Sequence, residues 1–158
     1  KIRYSAEYRM DEHFRDLLKE GESAFIPLPG QRLLVENSFM QAPIDLDEIL
    51  FQLMLKGFQP VLATPNGIDI ITHIKKYTDI AQQRLPFQVN LLSLAGYYGK
   101  EIKEIAWWLC KNEMIEFLGS DLHNLDQAQA IGEWLATKEY HKAAEMLATI
   151  QNDQLATY

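Results

Sequence analysis

Four carboxylate or imidazole side chains in this sequence follow short apolar runs, and side chains of these types can hold a divalent metal ion. They are Glu7, Glu36, Asp121 and His123. Carboxylate oxygens and imidazole nitrogens are ligands that Mn²⁺, Fe²⁺ and Zn²⁺ accept, and such an ion lowers the pKa of a bound water towards about 7. Alone, each carboxylate is more simply interpreted as solvated or salt-bridged, and Asp121 as a helix cap or turn residue. Their coincidence after successive runs favours a shared hydrolytic metal site.

The elements that would position these side chains are five short strands, each followed by a helical pattern. The apolar runs that predict the strands cover residues 2–6, 32–35, 60–63, 87–89 and 115–119. Strands that alternate with helices favour an α/β fold with a parallel sheet. In such sheets the loops after the strands form the mouth of the site. The polar residues expected to line this rim are Glu7, Glu36, Thr64, Asn90, Asp121 and His123.

Helical patterns occupy the segments between and after the strands. They predict helices over residues 11–21, 45–57, 68–84 and 99–112, and from 126 to the C-terminus with a break near residue 138. Asp45 and Glu48 have the spacing of a capping box at the start of the second of these helices. The apolar stripe predicted for that helix consists of Ile49, Leu50, Leu53 and Met54.

The composition is that of one ordinary globular domain. A chain of 158 residues with 47% hydrophobic and 23% charged residues can form a well-packed core, and we expect a single domain over residues 1–158. The net charge of -7 argues against nucleic acid as a partner, because nucleic-acid binding needs a basic surface. No apolar stretch approaches the roughly 20 residues of a membrane span. We therefore expect a cytoplasmic protein without a membrane span.

The chain has one cysteine, Cys110, and therefore no intrachain disulfide. This fits a reducing compartment. Cys110 lies in the helical pattern over residues 99–112, where a free cysteine usually packs as a small hydrophobic residue. We expect it to be buried rather than to act as a nucleophile.

Four segments resemble those of a known family. Residues 119–125 (GSDLHNL) resemble the Ser-Asp-x-His-Asn-Leu segment of bacterial capsular-polysaccharide metal-dependent tyrosine-protein phosphatases, and residues 5–8 (SAEY) resemble their Gly-Ala-Glu-Tyr segment. Residues 34–36 (LVE) and 88–90 (QVN) resemble two of their strands. These proteins are part of the polymerase and histidinol phosphatase (PHP) family. The resemblance implies parallel strand-helix units of a distorted, TIM-like PHP barrel, of which this chain would be the C-terminal portion.

The resemblance also implies roles for the residues of the rim. The residues that match metal ligands of the family are Glu7, Glu36, Asp121 and His123. The last three of them also match its catalytic residues. The cofactor implied is a divalent metal ion, with Mn²⁺ expected first and Fe, Zn or Mg as alternatives.

Two departures from the family pattern concern its remaining ligands. Nothing before Lys1 corresponds to the family's initial His-x-His strand, so we expect upstream sequence to be missing and the barrel to be incomplete at its N-terminus. Residues 63–67 (ATPNG) stand where the family has Ala-His-Pro-Glu-Arg. Thr64 and Gly67 thus occupy the positions of a metal-binding His and an Arg. We expect one weakly held ion or none, and an open sheet edge that upstream sequence or a second copy of the chain covers.

The function that the resemblance implies is metal-dependent hydrolysis of phosphotyrosine on a protein. In the family's case that protein is a bacterial tyrosine kinase of polysaccharide export. Two alternatives remain open at this point. The chain could be a catalytically impaired fragment or degenerate relative that acts as a binding module, or another member of the superfamily, such as a histidinol-phosphate phosphatase.

Overall fold

Five parallel strands form one sheet in the computed structural model, which describes residues 4–36, 45–63 and 86–155. The strands lie in chain order across the sheet as β1 (Glu7–Arg9), β2 (Arg32–Glu36), β3 (Gln59–Ala63), β4 (Phe87–Asn90) and β5 (Ile115–Gly119). Every neighbouring pair is parallel. The prediction of a parallel α/β fold is confirmed.

Helices follow the strands in the described ranges. They are α1 (Glu12–Glu20), α2 (Leu46–Leu55), α3 (Leu91–Ala95), α4 (Lys100–Lys111), α5 (Leu125–Leu135) and α6 (Lys138–Met146). All were predicted except α3, a short helix directly after β4. The break between α5 and α6 lies where it was expected, but the helix predicted to continue to the C-terminus ends at Met146. The helix predicted over residues 68–84 lies outside the described residues. None of the helices in the described ranges is long and apolar enough to cross a membrane.

The first strand begins later than the sequence predicts. Ser5 donates its hydroxyl, and Ala6 its backbone N–H, to the carbonyl oxygen of Ile26, at 2.8 and 3.2 Å. These two residues are therefore bound to a loop rather than to a strand. Pairing within the sheet starts at Glu7, which lies opposite Leu34 of β2. Glu7 is thus the first residue of β1 and does not follow its end.

Helix α2 begins where it was predicted, but Asp45 does not cap it. The Asp45 side chain accepts no hydrogen bond from the helix backbone. Both carboxylate oxygens instead accept from Arg15 of α1, at 3.1 Å from Nε and 2.6 Å from Nη2. A charged, two-point partner binds a carboxylate more strongly than a backbone N–H does. Arg15 and Asp45 therefore join α1 to α2.

The apolar stripe of α2 is narrower than predicted. Met54 was expected within it but is 46% exposed, because the packed face of the helix does not extend that far around its axis. The buried members of the stripe are Ile49, Leu50 and Leu53.

The helices pack against one face of the sheet. Leu33 and Val35 of β2 have no exposed surface and are part of a hydrophobic cluster with buried residues of the helices. Leu34 and Glu36 are half-buried and point to the opposite face, because successive side chains of a strand alternate. We call this second side, which carries Leu34 and Glu36, the inner face.

The sheet curves around its inner face. The guanidinium carbon of Arg32, on β2, lies 5.4 Å from the centroid of the Phe117 ring, on β5. Along a flat sheet these two strands would be about 14 Å apart, which is three strand spacings. Curvature therefore brings side chains from the two halves of the sheet together.

Candidate active site

Four predicted site residues share one electrostatic environment at the rim of the inner face. Burial raises the pKa of Glu7, the negative charges of Glu36 and Asp121 raise it further, and His123 lowers it. Glu7 is on one edge strand and Asp121 follows the other edge strand, about 19 Å away along a flat sheet. The effect of Asp121 on Glu7 therefore indicates that the two edges lie closer together than they would in a flat sheet. Two other positions singled out in the sequence, Thr64 and Gly67, lie outside the described residues.

Two side chains fix the carboxylate of Asp121 by hydrogen bonds. The Oδ2 atom accepts hydrogen bonds from Asn90 Nδ2 at 3.0 Å and from the Tyr98 hydroxyl at 3.2 Å. Burial, together with the charge of Asp121 and this hydrogen bond, raises the pKa of Tyr98 to about 12. Tyr98 therefore remains a hydrogen-bond donor at neutral pH. Both contacts fix Oδ2 of Asp121, whereas Oδ1 lies 3.7 Å from His123 Nδ1.

The imidazole of His123 is oriented by the backbone of Asp121. Its Nδ1 atom lies 2.9 Å from the Asp121 carbonyl oxygen, which can only accept a hydrogen bond. The bond therefore needs the proton on Nδ1, and in the neutral ring the lone pair is then on Nε2. The His123 side chain is 71% exposed, so Nε2 is accessible. This is the tautomer in which a histidine can donate Nε2 to a metal ion.

Glu36, the last residue of β2, is engaged by a neighbouring strand. Arg9 of β1 lies opposite it in the sheet register and donates Nε–H to Glu36 Oε1 at 3.0 Å. Arg9 thus places a positive charge beside the carboxylates of the rim. Both side chains are partly exposed, so the ion pair contributes little to stability by itself. Its effect is to orient Glu36.

Gly119, the last residue of β5, makes room for the side chains that reach Asp121. A β-carbon at this position would lie 2.8 Å from Gln88 Nε2 and 3.3 Å from Asn90 Oδ1. Any larger residue would therefore push Gln88 away. Glycine allows the two amides of β4 to lie across β5, and Asn90 then meets Asp121.

A family model described as "Capsular polysaccharide synthesis, CpsB/CapC" matches residues 1–153 of the chain. The chain belongs to this family. The resemblance to capsular-polysaccharide phosphatases that the sequence carries is thereby confirmed.

The chain is also similar to one known phosphatase and to a solved structure. The tyrosine-protein phosphatase YwqE of Bacillus subtilis (strain 168) is 29% identical over 126 residues, which cover 79% of this chain and 47% of YwqE. A chain from the crystal structures of YwqE and of CpsB from Streptococcus pneumoniae, described as unique metal-dependent tyrosine phosphatases, aligns with a TM-score of 0.66 and 22% identity. That alignment covers 93% of this chain and 64% of the other, and it shows a common fold.

The donor set of this CpsB/CapC chain suits a divalent cation in its chemistry. Glu36 and Asp121 raise the pKa of Glu7, so negative charge is concentrated here, and a bound cation would offset it. Asp121 Oδ1 and His123 Nε2 add an oxygen and a nitrogen ligand of the kinds that Mn²⁺, Fe²⁺ and Zn²⁺ accept. In the described part of the chain, however, no three His, Cys, Asp or Glu residues are gathered closely enough to enclose an ion by themselves. A complete site therefore needs further ligands or a small movement of these side chains.

Sequence reasoning missed two residues of this site. Arg9 stands two residues after Glu7, and a period of two places both on the inner face, so alternation along β1 was an available signal. Tyr98 gave no local signal, because its partner Asp121 is 23 residues further along the chain.

Cys110 takes no part in the rim. It is buried in the hydrophobic cluster, as predicted, and burial raises the pKa of its thiol to about 11. A nucleophilic cysteine needs an accessible thiolate. The one cysteine of this CpsB/CapC chain is therefore unsuited to the chemistry of cysteine-dependent phosphatases.

Proposed function

We propose that this chain is the part of a metal-dependent protein-tyrosine phosphatase that supplies Glu7, Glu36, Asp121 and His123 to the active site. The observation that carries the proposal is that Asp121 and His123, which follow one edge strand, influence the pKa of Glu7 on the other edge strand. The CpsB/CapC family and the phosphatase name of its Bacillus subtilis relative support the reaction class. No finding favours the alternative of a binding module.

The strand-helix units described above would form part of a distorted, TIM-like PHP barrel. The parallel order of five strands and the curvature of the sheet support this proposal. Residues 1–158 would then be one domain, whose open edges are covered by further strands or by a second copy of the chain.

The residues that would hold a divalent ion are Glu7, Glu36, Asp121 and His123. The ion, with Mn²⁺ as the first candidate, would supply positive charge for the phosphoryl oxygens and an acidified water as nucleophile. Glu36, Asp121 and His123 would also be the catalytic residues. Thr64 and Gly67 stand where the family resemblance implies a His and an Arg, so we expect weak binding of a single ion.

The surrounding residues orient the candidate ligands. Asn90 and Tyr98 fix the Asp121 carboxylate, and the Asp121 carbonyl fixes the tautomer of His123. Arg9 orients Glu36 and offsets part of the negative charge that would repel a phosphate dianion. Groups that are held in this way need less rearrangement when charge develops on the phosphoryl oxygens.

The substrate that this function implies is a phosphotyrosine protein. A bacterial tyrosine kinase of polysaccharide export is the candidate that the family resemblance suggests. Tyrosine phosphorylation uses ATP, so the cytoplasm is the compartment in which the proposed enzyme would act.

The test is release of phosphate from a phosphotyrosine peptide by the purified chain with and without Mn²⁺. We expect slow, metal-dependent hydrolysis that Asp121→Asn reduces at least about 100-fold, since catalytic electrostatic groups typically contribute this much. Cys110→Ala is the matched control and should leave the rate unchanged. Hydrolysis that survives a chelator, or that Cys110→Ala abolishes, would overturn the proposal. A chain that binds Mn²⁺ and the peptide but releases no phosphate would support the impaired binding module.

A further inference from the structure

A groove lies between α4 and α6, on the outer, helical layer of the molecule. Its volume is about 380 Å³. It is lined by Lys100, Lys103, Glu104, Trp107 and Lys111 of α4 and by Glu139 and Lys142 of α6, so four lysines face two carboxylates. We call it the lysine groove. It is separate from the rim that carries the candidate metal ligands.

The lysine groove is positively charged although the chain as a whole carries a net charge of -7. Lys103 pairs with Glu139 at 2.8 Å, and Lys100 pairs with Glu104 at 3.6 Å. In the described parts of the chain, Lys111 and Lys142 form no ion pair. Two lysines therefore remain available to an anionic partner.

Glu139 already has two partners and forms no ion pair with Lys111 or Lys142. Its carboxylate accepts hydrogen bonds from Lys103 at 2.8 Å and from Trp134 Nε1 at 3.1 Å. Burial acts to raise the pKa of Glu139, but these two hydrogen bonds outweigh it and lower the pKa. Glu139 is thus ionised, and its partners are Lys103 and Trp134 rather than Lys111 or Lys142.

The floor of the lysine groove is apolar. Trp107 is half-buried, and its Nε1–H donates to the carbonyl oxygen of Leu94 at 3.1 Å. The polar atom of the indole is satisfied inside the protein, so the ring presents carbon to the groove. The stems of the lysines add further apolar surface below their charged ends. An apolar floor with a positive margin fits a peptide that carries both acidic and apolar side chains.

The position of the groove connects it with the candidate active site. Helix α4 starts two residues after Tyr98, whose hydroxyl contacts Asp121. From Lys100 the helix extends over 12 residues, about 18 Å at 1.5 Å per residue. An extended peptide of about five or six residues covers that length. A segment adjoining a residue bound at the rim could therefore follow α4 along the groove.

A second groove, between α1 and α2, is of similar size but carries less unpaired positive charge. It has a volume of about 410 Å³ and includes Arg15, Lys19 and Lys56 among its lining residues. Arg15 is bound by both oxygens of Asp45, and Lys19 is paired with Asp16 at 2.8 Å. Its positive charge is largely neutralised, which makes it a suitable control surface.

We propose that the lysine groove binds an acidic segment of a protein partner, next to the phosphotyrosine that enters the rim. That this partner is the substrate rests on the proposed function. The binding of an acidic segment does not, because it depends only on the charge and shape of the groove. Such docking would select substrates by the acidic residues that adjoin the phosphotyrosine.

The test measures binding of a fluorescent, unphosphorylated ten-residue peptide that contains four Glu or Asp and one Leu, by anisotropy. Lys111→Gln with Lys142→Gln should weaken binding about three- to tenfold, the loss expected for two exposed ion pairs. Lys19→Gln with Lys56→Gln removes two lysines from the control groove and should change the affinity less than about twofold. Added salt should weaken binding to the unmodified chain, because exposed charges are screened.

Equal affinity of both double variants, or equal binding of a peptide in which Lys replaces the acidic residues, would overturn the proposal. A phosphotyrosine at the end of the same peptide separates docking from chemistry. If the chain hydrolyses it, Lys111→Gln with Lys142→Gln should raise KM and leave kcat unchanged. Groove-dependent peptide binding without any hydrolysis would count against the phosphatase function and would support the docking surface.

Discussion

Asp121 has a left-handed backbone conformation, with a φ of 51°, directly after β5. Non-glycine residues adopt this conformation at a cost of about 1–3 kcal/mol, and Asp tolerates it better than most. The strain is balanced locally, because the side chain gains hydrogen bonds from Asn90 and Tyr98 and the carbonyl meets the His123 ring. Strained residues of this kind cluster at functional sites. The strained backbone of Asp121 therefore indicates a functional site at the same rim as its side-chain contacts do.

Glu7→Gln should stabilise the metal-free chain at pH 7. Burial and the charges of Glu36 and Asp121 raise the pKa of Glu7 in the folded state, so its ionised form is less favourable there than in the unfolded state. That penalty is present at neutral pH, and it is lost as the pH falls through the folded-state pKa towards and below the ordinary value of 4.5. Glu7 keeps substantial solvent exposure, so we expect a gain below about 1 kcal/mol.

Urea denaturation of the unmodified chain and of Glu7→Gln at pH 7 and pH 4 measures this difference in the free energy of unfolding. Glu145→Gln, at an exposed position on α6, is the control. A Glu7→Gln variant that is less stable at pH 7, or whose advantage is larger at pH 4, would contradict the predicted like-charge repulsion.

Asp121→Asn should lower the pKa of Tyr98, which is about 12 in the folded chain. Burial is the largest cause of the raised value and remains in the variant, whereas the charge of Asp121 is removed. The pKa should therefore fall but stay above its ordinary value of 10.0. Tyrosine ionisation measured by ultraviolet absorbance, as the difference between each protein and its Tyr98→Phe counterpart, isolates this group. An unchanged midpoint would show that Tyr98 does not contact Asp121 in solution.

At the scale of elements, the β5–α5 unit joins the candidate ligands to a helix start. Asn124 follows His123 and is the N-cap of α5, because its Oδ1 accepts the N–H of Gln127 at 3.0 Å. The Gln127 side chain in turn accepts the N–H of His123 at 2.6 Å. The Asn that follows the His in the sequence motif thus has a structural role. It anchors the loop that presents Asp121 and His123.

Asn124→Ala should lower the free energy of unfolding by about 1 kcal/mol, the usual cost of removing an N-cap side chain. Asn124→Ser is the matched control, because serine also caps helices well, and it should recover most of the loss. Thermal unfolding followed by circular dichroism measures both. Equal stability of the alanine and serine variants would show that the cap does not hold the loop.

Element boundaries were predictable where the pattern is local. The apolar runs at 32–35, 60–63, 87–89 and 115–119 gave β2 to β5 within one residue at each end. The start of β1 was not predictable, since Ser5 and Ala6 bind Ile26, about twenty residues away. The prediction that Asp45 caps α2 was wrong for the same reason. Its carboxylate is bound by Arg15, which lies 30 residues earlier in the chain.

At the scale of the whole molecule, the strand and helix pattern predicts a parallel sheet but not its curvature. The pattern does not say that Arg32 on β2 reaches Phe117 on β5, and only the resemblance to a barrel family implied a curved sheet. The prediction that Glu7 and Asp121 share a rim came from strand direction and from that resemblance. The effect of Asp121 on the pKa of Glu7, across the two edges of the sheet, is consistent with it.

In the proposed site, residues from opposite edges of the sheet share one divalent ion. Calorimetric titration of Mn²⁺ into the chain, into Asp121→Ala and into His123→Ala tests it most directly, with His141→Ala on the exposed face of α6 as control. We predict weak binding of a single ion that weakens as the pH is lowered, because protons compete for the same ligands. Asp121→Ala and His123→Ala should each reduce the affinity at least about tenfold, and His141→Ala should not. Binding of equal strength in all four proteins would contradict a metal site at this rim.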